Sequence, residues 1–105
     1  MKLTHKMCIQ ALSQLDIDTL RGLVAISMEL KHAEEKHPKY PISKDKKQDS
    51  INFIYATAIV SEETGELTRA ALQYHEGKGR YYDMAAEAIQ TGSSALRFLK
   101  NFHEK

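Results

Sequence analysis

Three carboxylates continue the apolar face of the longest helix this chain can form, and no other feature constrains the fold as strongly. From Ser50 onward, Ile51, Tyr55, Ala58 and Ile59 recur at helical spacing. The next positions on that stripe are Glu62, Glu63 and Glu66, followed by Ala70 and Tyr74. At about 100° per residue, the three acids fall within roughly 60° of Ile59. The opposite face carries Thr57, Ser61, Gly65 and Thr68, where a solvated helix would have placed its acids. Burying unpaired carboxylates is costly, so the pattern calls for compensation, and a bound divalent cation supplies it most economically.

The rest of the chain also reads as helix. A short first helix is expected over about residues 4–15, with Met7, Cys8, Ala11, Leu12 and Leu15 on one side. Asp16 or Asp18 can cap a second helix to about Lys36, with Leu20, Leu23, Val24, Ser27 and Leu30 inward. Pro38 and Pro41 end it. After a polar loop from His37 to Asp49, Asp49 or Ser50 caps the acid-bearing helix, which runs to about His75. Gly77-Lys78-Gly79 is a break. The last helix runs from about Tyr81 to Phe102, with Ala85, Ile89, Gly92, Leu96 and Leu99 as one stripe. Its run of small residues would let a neighbouring helix approach closely. The expectation is a single all-α domain over residues 1–105, a bundle of three or four helices.

Composition narrows the function. The net charge of +1 gives no electrostatic case for nucleic acid or an anionic membrane as the main partner. Cys8 is the sole cysteine, so neither an internal disulfide nor a cysteine-built zinc site can form. A lone cysteine and the lack of a signal-peptide core or an 18-residue apolar run fit a cytoplasmic protein. A chain of 105 residues buries a limited core alone, so assembly with further copies is expected.

Glu63 and Glu66 stand three apart, and Glu87 and Gln90 repeat that spacing beyond the glycine turn. The two pairs lie nearly symmetrically about the break, so an antiparallel hairpin brings them to nearly the same level. Four oxygen-bearing side chains then converge from facing helices. Hard oxygen ligands without cysteine favour magnesium or manganese, and magnesium pairs naturally with phosphate chemistry.

Glu62-Glu63-Thr64-Gly65-Glu66, followed by Glu87-Ala88-Ile89-Gln90, resembles the signature of the MazG-like all-α nucleoside triphosphate pyrophosphohydrolases: E-E-x-x-E, a spacer, then E-x-x-D. The resemblance covers about residues 50–102, and Gln90 stands where the family pattern usually has Asp. It implies a magnesium-dependent enzyme that cleaves a nucleoside triphosphate between its α and β phosphates, releasing a monophosphate and pyrophosphate. Glu63, Glu66 and Glu87 would be metal ligands, and Gln90 a weaker or water-mediated one. Glu62 would orient or deprotonate the attacking water, directly or through a neighbouring group. The same resemblance implies a homodimer or homotetramer whose bundle is completed between subunits.

Other residues have competing readings. Arg97 projects on nearly the same side as Gln90, fit either to clamp a triphosphate or to pair with a neighbouring Glu. Lys39, Lys44, Lys46 and Lys47 form either a phosphate-meeting lid or a solvated loop. Lys78 and Arg80 belong to the turn, away from the acids. Glu29-x-x-His32 and Glu34-x-x-His37 match di-iron spacing but share one helix, whereas that architecture needs such motifs on two. Glu34 and Glu35 are the acids of the second helix within reach of an approach to the site. Tyr40, Tyr55 and Tyr74 are either base-stacking or core residues, and Cys8 is a small apolar filler. Two alternatives to the enzyme remain: a weakened relative that binds a nucleotide or partner without turnover, and a helical oligomerisation module whose glutamates face Arg69 or Arg97.

Overall fold

The structure, a computed structural model, describes residues 2–41 and 49–102. It is built from four helices: α1 (His5–Ser13), α2 (Ile17–Lys36), α3 (Asp49–His75) and α4 (Tyr81–Lys100). None of them is long and apolar enough to cross a membrane. The Thr4 hydroxyl caps α1 by accepting from the Met7 N–H at 3.2 Å. Asp16, of the two candidates, caps α2 and accepts from the Thr19 N–H at 3.0 Å. Helix α3 begins at Asp49, which places Ser50 inside its first turn.

The glycine break is a Schellman motif. The Lys78 N–H reaches the Gln73 carbonyl at 2.9 Å and the Gly77 N–H reaches Tyr74 at 3.1 Å. Gly77 sits at φ 73°, a left-handed conformation that a Cβ disfavours. Across this turn Tyr74 packs edge-on against Tyr81. Helices α3 and α4 then run back along each other, and α2 packs on α4.

Packing in the hairpin is set by small residues and a few rings. Ala56 and Ala70 are buried on α3, and Ser93 and Arg97 on α4. Phe53 meets Phe98 with ring centroids 5.8 Å apart. The small-residue run on α4 works as the sequence indicates where α2 crosses. A Cβ on Gly92 would lie 2.7 Å from Ile26 Cδ1 and 3.0 Å from its Cγ1. Glycine therefore allows Ile26 to pack against the α4 backbone, and even alanine would displace that side chain.

Two inward faces differ from expectation. The half-buried stripe of α3 runs through Val60, Glu63 and Leu67 between Ala56 and Ala70. It is rotated by roughly 100° from the stripe centred on Ile51, Tyr55 and Ile59. Those three residues are exposed instead, as are Leu23 and Val24 of α2. Helix α1 buries no residue, and Cys8 is only half-buried. In total the chain exposes 8442 Å², whereas an ordinary folded monomer of 11.9 kDa exposes about 6,000 Å². Both α2 and α3 carry a second apolar side that none of the described residues covers.

Candidate functional site

Glu63, Glu66 and Glu87 converge, with one carboxylate oxygen from each lying within 4.8 Å of the others. Helix α3 supplies two of them from adjacent turns and α4 the third. Their level is held by Thr91, which sequence reasoning missed. Its hydroxyl lies 2.8 Å from the Glu87 carbonyl on its own helix and 3.2 Å from the Glu63 carbonyl across the hairpin. An isolated Thr gives no sequence signal for such a bridge, but its place one turn after Glu87 is consistent with it.

The electrostatics are those of acids pressed together. Burial, then the charges of Glu66, Glu87, Glu62 and Glu29, push the Glu63 carboxyl above the usual carboxylate range. Burial and Glu66 do the same to Glu87, with Asp83 adding a smaller push. Glu87 Oε2 is buried without a hydrogen-bond partner among the described residues. The ion pairs among the described residues are Arg21–Asp18, Lys78–Glu76, Arg80–Asp83 and Lys100–Glu34, and none involves the three acids. Three carboxylates at this spacing have the donor chemistry for one hard dication, whose ligand oxygens lie about 2.0–2.6 Å from the ion.

The other candidates fall into place around them. Glu62 is exposed beside Glu63, adding charge without joining the cluster. Gln90 turns its amide toward α2, donating from Nε2 to Glu29 Oε1 at 3.0 Å. Glu29 is thus the carboxylate that α2 brings near the site. Glu34 instead accepts from Lys100 Nζ at 2.8 Å, away from the cluster. Lys44, Lys46 and Lys47 lie outside the described residues, so the lid reading rests on Lys39 alone here.

A cavity of about 360 Å³ opens beside the acids, between α2, the 37–41 segment and α4. Glu29, Glu63 and Gln90 line it, as do Lys36, Lys39, Tyr40 and Arg97. Arg97 makes no ion pair with a Glu among the described residues. It donates from Nη2 to the His37 carbonyl at the end of α2 and lies over the Tyr40 ring, 4.8 Å from the centroid. Burial pushes the Tyr40 phenol up, against the opposing pull of that guanidinium. Tyr55 and Tyr74 are exposed, which leaves Tyr40 as the cavity tyrosine of the three. A second, more open cavity of about 330 Å³ is lined by Glu66, Arg69, Asp83 and Glu87, among others. The chain matches no family model, no curated protein and no solved structure.

Proposed function

We propose that the protein is a magnesium-dependent nucleoside triphosphate pyrophosphohydrolase of the MazG-like kind. The observation that carries this reading is the convergence of Glu63, Glu66 and Glu87 with no ion pair to a cationic side chain among the described residues. Magnesium, or manganese in its stead, would be held by these three and would neutralise charge on the phosphate oxygens of the substrate. Glu87, whose buried Oε2 has no hydrogen-bond partner among the described residues, is well suited to such a ligand bond. Glu62 is exposed and adjacent, suited to orient or deprotonate the attacking water. Gln90 keeps a neutral amide beside the cluster and steadies Glu29. Water cleaves the α–β phosphoanhydride, giving a nucleoside monophosphate and pyrophosphate.

The test is pyrophosphate release from a panel of nucleoside triphosphates, followed with and without magnesium. Magnesium-dependent release from at least one of them is the expected result. A second reading, a nucleotide-binding relative without turnover, is favoured by Gln90 in place of an acid. It would show as magnesium-dependent nucleotide binding with no pyrophosphate.

The assembly belongs to the same proposal. Large exposed side chains on α1, α2 and α3, among them Leu12, Val24, Met28 and Ile54, suit a second copy of the chain that completes the bundle. Sedimentation at micromolar concentration is expected to show a dimer or tetramer. A single species of monomer mass would contradict it.

A further inference from the structure

Glu63 belongs both to the acid cluster and to the wall of the larger cavity. A substrate whose reacting bond lies at the acids has a path past Glu63 into that cavity. Its volume of about 360 Å³ is in the range of small-molecule sites. Two of its lining residues carry buried polar atoms without a partner among the described residues: Arg97 at Nε and Tyr40 at its hydroxyl. Arg97 is only 9% exposed. A buried polar group without a partner is costly, and a ligand offering the right atoms would satisfy both.

The partners of Arg97 decide what kind of ligand fits. One amino group is committed to the His37 carbonyl and one face of the guanidinium to Tyr40, so it is poorly placed to grip a phosphate with a free fork. Of its remaining donors, the Nε–H is the one buried without a partner among the described residues. Ala33, Pro41 and Ile59 contribute apolar wall to the same cavity. Apolar wall beside a buried N–H and a phenol hydroxyl, in a cavity whose lining also includes Lys36, Lys39 and Ser94, suits the edge of a flat heterocycle.

We propose that this cavity holds the nucleobase of the substrate, and that Arg97 Nε and the Tyr40 hydroxyl read an exocyclic carbonyl oxygen on its edge. The proposal rests on the pyrophosphohydrolase reading above. It selects uracil, thymine, cytosine and guanine nucleotides over adenine nucleotides, because adenine has no exocyclic oxygen. Adenine would leave the Arg97 donor facing an amino group or empty space.

The test is a binding titration of the whole chain with magnesium and α,β-methylene triphosphates of uridine, guanosine and adenosine. A methyl ester of α,β-methylene triphosphate serves as the base-free probe. The uridine and guanosine analogues are expected to bind about tenfold tighter than the adenosine analogue. Tyr40→Phe, which removes only the hydroxyl, is expected to shrink that ratio severalfold. Equal affinity for the three bases overturns the proposal, as does a ratio untouched by Tyr40→Phe and by Arg97→Lys. Magnesium-dependent binding of the base-free probe with no preference among bases sinks the base assignment alone. Failure of every analogue to bind sinks the pyrophosphohydrolase reading with it.

Discussion

Glu66→Ala is expected to cut magnesium-dependent pyrophosphate release by about 10³-fold or more, roughly 4 kcal/mol of transition-state stabilisation. Glu66 is the acid whose charge raises both of its neighbours: it is a leading charge acting on Glu63 and the leading one acting on Glu87. Removing it takes away a ligand and also relieves repulsion in the metal-free protein. The variant should therefore be at least as stable as the parent in chelator, while losing most of its stabilisation by magnesium. A purely structural acid would behave differently, because its loss would lower stability with or without the ion. Turnover that survives in Glu66→Ala would refute the site.

Magnesium should also change the way stability depends on pH. Glu63 and Glu87 titrate above the usual carboxylate range in the folded chain. The folded state therefore holds more protons than the unfolded state between the ordinary value and the raised one. Without metal, these groups favour folding most at low pH, and their contribution falls as pH rises through that window. Magnesium binds the ionised forms and displaces the protons, so its stabilising effect grows over the same interval. At a hundred times its dissociation constant the ion would add about 2.7 kcal/mol. For a chain of this size that corresponds to a rise in Tm of about 10 °C or more. Thermal scans from pH 4 to 8, in chelator and in excess magnesium, measure both slopes. A Tm at pH 7.5 that magnesium does not move would count against a metal at these acids.

Much of the candidate site is written in local spacing. Glu63 and Glu66 are a turn apart on any helix, and the Gly77 break folds α3 back so that Glu87 arrives beside them. The hydroxyl of Thr91 shows the register directly, since residues 63 and 91 are equidistant from Gly77. Glu29 was harder to see. It belongs to another helix, and its E-x-x-H context points equally to Glu34, which the structure sends to Lys100. Gln90 reads as a ligand by position, and only the placement of α2 shows where its amide is held. Arg97 has the chemistry of a phosphate clamp or an ion-pair partner, yet it closes the end of α2 and stacks on Tyr40.

The helices, their caps, the Schellman turn and the meeting of three acids follow from periodicity and from residues such as Asp16 and Gly77, because these act within a few residues of chain. Which side of α3 turns inward was decided only in three dimensions. That helix has one apolar side through Ile51 and Ile59 and another through Ala56 and Val60, and helical spacing does not rank them. Close packing against α4 selects the side with the small residues. The same docking creates the cavity at Arg97 and Tyr40, since it joins residues from segments that share no local pattern.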